Sequence, residues 1–181
     1  MTPEHPDYDN LNRALDKILD VADYLDHERA KAESVNKVLA IQEKLVGLQE
    51  KLVEPARHFI REGPIITDRS EQGGPSLKCA YLFLFSDLMI ECKQRADNRF
   101  KVRKMFHLGN VKIVPIDPAV KPNAFHVLPS TEEEKVIFSM SSKQEVEAWT
   151  NALHSAIFNF KKSDMQRRVL SENRRMAAAQ E

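Results

Sequence analysis

Apolar positions fall into two regimes along this chain, a helical spacing at each end and short extended runs between them. Tyr8, Leu11, Leu15, Ile18, Ala22 and Leu25 recur three or four residues apart, while Asn12, Asp16, Asp20, Asp23 and Asp26 lie opposite. That spacing predicts an amphipathic helix. Pro6, Asp7 and Asp9 suit its first turn. No Gly or Pro interrupts residues 7–46, so the helix is expected to continue through a polar middle. A second apolar set follows at Val35, Val38, Ile41, Leu45, Leu48 and Leu52. The stripe drifts around the axis between the two sets, so they should face different neighbours: the chain's own second half, or something outside the chain. A coiled-coil dimer is the alternative, though the broken register disfavours it. Gly47 is placed to end or bend the helix.

Pro55 stops the helical pattern. Seven extended segments are then expected, at residues 59–67, 77–85, 88–93, 99–108, 111–115, 124–128 and 135–140. Gly63-Pro64 suggests a bulge or edge in the first, Ser86-Asp87 a tight turn, and Gly109-Asn110 a hairpin. Residues 68–76, 94–98, 117–123 and 129–134 read as loops. The chain closes on residues 142–160, SKQEVEAWTNALHSAIFNF. Ser142 and Glu145 form a capping box. Val146, Trp149, Leu153, Ala156, Ile157 and Phe160 make one apolar face, which must be buried against another element. The expected fold is α+β and mainly β: a seven-stranded antiparallel barrel or orthogonal sandwich plugged by the C-terminal helix, with a long N-terminal helix. Residues 161–181 are polar and Ala-rich and should fray.

Composition is that of a globular protein, 42% apolar and 30% charged. Basic and acidic residues balance at 27 each, which gives no global attraction to nucleic acid. The balance hides an asymmetry. Residues 1–55 carry 7 basic and 12 acidic side chains; residues 56–181 carry 20 and 15. Two modules are therefore expected. No apolar run reaches membrane-span length, and the N-terminus has no signal-peptide core. Cys79 and Cys92 read as two reduced core thiols, with no disulfide and no zinc site. The six histidines are scattered, and no catalytic triad, zinc-protease motif or phosphate loop occurs.

Several local runs sharpen this outline. They are RHFIREG at 57–63, YLFLFSD at 81–87, FHLGNVKIV at 106–114, NAFHV at 123–127 and EAWTNALHSAI at 147–157. Together they resemble the pleckstrin-homology (PH) domain that follows the Dbl-homology (DH) domain in Rho-family guanine-nucleotide exchange factors. HPDYDNLNRALDKILDVADYL at 5–25 resembles the last long helix of such a DH domain. The resemblance implies a DH helix and linker over 1–54, a PH domain over 55–162 and a polar helical tail over 163–181. It implies a parent protein that exchanges nucleotide on a Rho-family small GTPase. The family's exchange residues lie on DH segments not represented here, so no catalytic residue, cofactor or metal site is expected, and the exposed face of Tyr8–Leu25 belongs against those segments. The implied setting is cytoplasmic and peripheral at the membrane.

Strong phosphoinositide binders of this family place a Lys late in strand one and a basic-x-Arg set in strand two. The corresponding positions here look like Thr67, and Lys78 followed by Ala80, so a tight headgroup site is not expected. What remains is a basic set: Lys78, Lys93, Arg95, Arg99, Lys101 and Arg103. Alternation should turn Phe100 and Val102 inward and the basic residues outward. Such a patch suits weak binding of anionic membrane lipid. The competing readings are a solvated basic edge strand that discourages aggregation, or a protein-interaction surface. Arg167, Arg168, Arg174 and Arg175 read as part of a frayed helix, the alternative being a contact with RNA or membrane.

Overall fold

The computed structural model describes residues 7–68, 77–130 and 135–178. The expected lead-in at 1–5, most of the loop at 68–76 and the acidic loop tip at 131–134 lie outside them. A long helix, α1 (Tyr8–Lys44), leads into eight strands. These are β1 (Leu45–Val46), β2 (Phe59–Asp68), β3 (Leu77–Phe85), β4 (Leu88–Gln94), β5 (Phe100–His107), β6 (Val111–Pro115), β7 (Ala124–Pro129) and β8 (Val136–Ser139). A second helix, α2 (Lys143–Ala178), ends the described chain. The sheet order is β1-β5-β4-β3-β2-β8-β7-β6. Every pairing is antiparallel except the short β1–β5 ladder, which is parallel.

The α+β, mainly β architecture is the expected one, and Trp149 is its plug. Its indole is 2% exposed and packs with Leu82, Leu84, Phe106, Phe125 and Phe138 inside the curled sheet. A Cβ on Gly63 would lie 3.4 Å from the indole, so the strand passes directly under the ring. Arg61 covers the ring from outside, its guanidinium carbon 5.1 Å from the centroid. The cap at the start of α2 is shared by two serines. Glu145 N–H donates to Ser142 Oγ (3.2 Å), but the Glu145 carboxylate accepts from Ser141, backbone N–H and hydroxyl both.

Three expectations need correction. The described residues form eight strands, because the chain leaving α1 pairs Leu45 and Val46 with Phe100 and Lys101. Gly109-Asn110 belongs to a 3-10 turn over Leu108–Asn110, not a two-residue hairpin. Phe160 fills the space where a Cβ on Gly109 would sit, at 3.0 Å, which ties that turn to α2. α2 runs past Phe160 through the polar tail to Ala178. Cys79 is exposed; only Cys92 is a core thiol.

The two apolar sets have different surroundings. Val38, Ile41, Leu45 and Leu52 are buried against Phe83, Phe85, Leu88, Ile90, Cys92 and Phe100. This second core lies on the outer face of β3, β4 and β5, the face turned away from Trp149. Leu11, Leu15, Ile18 and Leu25 stay about half exposed or more, at 49, 53, 65 and 59%. The linker after β1 folds back on α1, where Gln42 Oε1 accepts from the N–H groups of Leu52 (2.6 Å) and Val53 (3.2 Å).

Candidate functional site

Strand register decides where the basic residues go. On β3, Lys78 alternates with Ala80, Leu82 and Leu84, which line the Trp149 core. On β4, Lys93 alternates with Glu91 and with Met89 of the same core. Lys93 stands directly opposite Lys101 of β5. Lys78, Lys93 and Lys101 thus lie on the concave face of the sheet, at the mouth opposite the Gly109 turn, and all three are exposed. Phe100 and Val102 do turn away from them, but not into the barrel: they pack in the second core with α1. The expected inward orientation was wrong because the sheet has two buried faces here, and alternation alone cannot say which face is the interior.

The β4–β5 connection is a compact basic tip. Arg95 N–H donates to the Arg99 carbonyl at 2.8 Å, and Asn98 takes φ 57°, which its short polar side chain tolerates. Asp97 sits between the two arginines, 3.5 Å from Arg95 Nε and 4.0 Å from Arg99 Nε, and its Oδ1 accepts from Arg99 N–H. Among the described residues, no carboxylate lies within ion-pair distance of Lys78, Lys93 or Lys101. Like charges directly opposite each other on a sheet destabilise it. An anion bridging Lys93 and Lys101 would reverse the sign of that term.

Arg103 differs from the rest. The register shifts between Glu91 and Cys92, so that Arg103 falls in a bulge between Val102 and Lys104. Its guanidinium lies 3.8 Å from the carboxylate of Glu91, which is 1% exposed, and 3.5 Å from the Cys79 carbonyl. The role available to Arg103 is to balance a buried charge. Sequence reasoning missed Glu91 altogether, since one acid within LMIECKQ carries no signal of burial. The departures at Thr67 and Ala80 also have a structural basis. Thr67 is buried with its hydroxyl donating to the Lys78 carbonyl, and Ala80 is part of the core. Neither position can present a cation to the mouth. Lys121 reaches the same end of the barrel and pairs with Asp68.

The opposite end holds the joint with α1. Arg57, buried, donates from Nε to Asp87 Oδ1 (2.8 Å), from Nη2 to Asp87 Oδ2 (2.7 Å) and from Nη1 to the Leu52 carbonyl (2.7 Å). Burial opposes the Arg57 charge, but the hydrogen bonds and charge of Asp87, with Glu54 and Glu50 behind it, hold its pKa above the ordinary value. Ser86 Oγ accepts from His58 N–H and donates to the Ala56 carbonyl. The β3–β4 turn is in this way fastened to the linker.

Comparison with known proteins agrees with this architecture. A family model described as "PH domain" matches residues 59–158. The rat protein "FYVE, RhoGEF and PH domain-containing protein 4" is 30% identical over 163 residues, which is 88% of this chain and 21% of that protein. "Guanine exchange factor for Rac 30" of Dictyostelium discoideum is 34% identical over 106 residues, 59% of this chain and 6% of that protein. The chain therefore spans about a fifth or less of these curated relatives. Among solved structures, autoinhibited Vav1 is similar with a TM-score of 0.74 at 17% identity, over 86% of this chain and 28% of that one. The DH/PH domain of human ARHGEF11, solved in a ternary complex with human RhoA and its inhibitor, gives 0.61 at 16% identity, over 88% and 49%. The fold is that of the junction in DH/PH modules, a long helix entering a PH barrel, and the chain belongs to the PH domain family.

Proposed function

We propose that this chain is the regulatory PH portion of a Rho-family exchange factor, and that its basic mouth attaches weakly to anionic lipid on the cytoplasmic face of a membrane. The observation that carries the lipid reading is the Lys93–Lys101 cross-strand pair with Lys78 beside it on the same concave face. Arg95 and Arg99 extend the patch around the hairpin tip. Each basic residue near a charged bilayer contributes about 1 kcal/mol, enough for peripheral attachment and too little for headgroup selection. Arg103 supports the site through Glu91. In this reading the buried α1–barrel contact and the Arg57–Asp87 joint hold the barrel at a fixed orientation to whatever α1 belongs to. For the parent protein that is an exchange domain acting on a Rho-family small GTPase.

Co-sedimentation tests the lipid step. Pelleting with vesicles containing phosphatidylserine or a phosphoinositide, and not with neutral phosphatidylcholine, supports it; equal pelleting on both, or none on either, rejects it. The chain alone is expected to leave the release of labelled GDP from Rho, Rac or Cdc42 unchanged, because in the family it resembles the exchange residues lie on DH segments outside this sequence. A second reading, a protein-interaction module without lipid binding, is favoured by the exposed Leu11, Leu15, Ile18 and Leu25 on α1. It predicts no pelleting on either vesicle and partner capture that is lost on substituting that stripe.

A further inference from the structure

The part of α2 beyond the barrel has an ordered outward face. Phe158, Met165, Val169 and Met176 are 67, 69, 47 and 67% exposed. They lie on the side of α2 opposite Trp149, Leu153, Ala156 and Phe160, so folding of the barrel leaves them uncovered. Two charged residues complete the same stripe. Phe158, Lys162, Met165, Val169, Glu172 and Met176 follow one another at spacings of 4, 3, 4, 3 and 4, the repeat of a coiled-coil seam.

The six positions are symmetric about Arg167. If a second copy of the helix is laid antiparallel on this seam, Phe158 meets Met176, Met165 meets Val169, and Lys162 meets Glu172, each twice by the two-fold axis. A parallel pair would instead set Lys162 against Lys162 and Glu172 against Glu172. We propose that the outward seam of α2 is a self-association surface, on which a second copy of this chain docks antiparallel to form a two-fold dimer. The seam is self-complementary in charge as an isologous interface requires. A helix lying in a bilayer surface would instead have to bury Lys162 and Glu172 in the middle of its apolar face. One flank carries Asn159, Gln166 and Asn173. The other carries Lys161, Arg168 and Arg175, of which Arg168 is already paired with Asp164 at 2.9 Å. The two barrels project on opposite sides of the helix pair, so both mouths stay open. Two basic flanks face each other and the area is small, so the dimer is of the weak, transient class.

Sedimentation equilibrium of the 181-residue chain across micromolar to millimolar concentration tests this. A monomer–dimer equilibrium is expected. Lys162→Glu and Glu172→Lys singly should each raise its dissociation constant at least tenfold, and the double charge swap should restore it to within threefold. On a Cys79→Ser background, mixing Met165→Cys with Val169→Cys protein should give a cross-linked heterodimer faster than either alone gives a homodimer. Circular dichroism and thermal melts of each variant, which should match the parent, separate lost association from lost folding. A chain that stays monomeric throughout, a double swap that fails to recover, or preferential homodisulfides would overturn the proposal. So would a dimer that survives Met165→Glu/Val169→Glu but is abolished by Leu15→Glu/Ile18→Glu on α1.

Discussion

Arg57 grips Asp87 through both carboxylate oxygens, across the seam between the linker and the β3–β4 turn, while its third nitrogen holds the Leu52 carbonyl. The pair joins the two halves of the chain at the one point where the backbone passes from α1 to the barrel. Its geometry is the fork-to-carboxylate arrangement that Lys cannot reproduce.

Removing Arg57 should therefore cost more than a surface ion pair. Arg57→Ala leaves Asp87 and the Leu52 carbonyl unpaired, and breaking a buried pair costs about 3–5 kcal/mol. The Asp87 side chain keeps 25% of its exposure, so about 2–3 kcal/mol is expected here, since water can replace part of the lost contact. Urea unfolding measures it. Arg57→Lys should recover less than half, because only one donor direction is kept. Limited proteolysis should cut the linker between Gly47 and His58 faster in both variants. A linker as resistant as the parent's would mean that Gln42 alone holds it.

Trp149→Ala should lose about 3–5 kcal/mol, the range for deleting a large aromatic from a packed core. Trp149→Phe should lose less, since Gly63 leaves room under any flat ring and Arg61 can still stack on it. The ratio of the two losses, read from urea midpoints at equal slope, separates cavity formation from loss of the indole as such. Equal losses would indicate that packing volume is not what holds α2 in the barrel.

Much of this architecture is legible in the chain, and the errors share a cause. The Trp149 helix and its buried face follow from one unbroken spacing, because a single face meets a single core, and half of its cap, the Glu145 N–H to Ser142 bond, follows from the residue types. Alternation in β5 was misread because Phe100, buried, and Val102, half-buried, pack on the convex face, under α1. A strand with two buried sides has no periodic signal for which side is the inside. Cys79 was misplaced for a related reason. LKCAYLFLF reads as a continuous apolar run, yet Leu77, Lys78 and Cys79 at its start are all exposed. The second stripe of α1 was expected to need a partner, and its spacing could not say that the partner is the chain's own sheet. Glu91 and its contact with Arg103 lay beyond pattern reading, since both depend on a bulge that only the ladder register shows.

The basic mouth can be separated from its support by comparing two kinds of variant. Lys93→Gln/Lys101→Gln removes the opposed cations and relieves their repulsion, so it should leave stability unchanged or slightly raised while lowering partition to anionic vesicles about tenfold or more. Arg103→Gln should do the reverse. It removes one partner of the buried Glu91 carboxylate, which costs about 1–3 kcal/mol, with little direct effect on lipid. Vesicle pelleting and urea melts of both proteins test the division. If Arg103→Gln abolished pelleting at unchanged stability, the arginine would itself be a lipid contact and Glu91 only its neighbour.

The two cysteines should behave as different chemical species. Burial, reinforced by the charge of Glu91 and only partly offset by Arg103, pushes the Cys92 thiol up to about 12 from an ordinary value of 9.0. Thiolate is the reactive form, so a disulfide reagent at pH 8 should titrate one thiol in the folded chain, Cys79, and two in urea. The same shift makes stability depend on pH in a definite direction. Below pH 9 the thiol is protonated in both states and nothing is lost. Between pH 9 and about 12 the unfolded chain releases this proton while the folded chain keeps it, so folding free energy falls by about 1.4 kcal/mol per pH unit. Tyr81, raised mainly by burial with a contribution from Glu62, adds in the same direction above its own ordinary value of 10.0. The Cys92 share is isolated by subtraction. Cys92→Ala should be less stable at neutral pH, from the cavity it leaves, and its disadvantage should shrink steadily from pH 9 upward. A constant difference between the two proteins across that range would mean that Cys92 ionises as freely in the fold as out of it, and that the core under α1 is open to water.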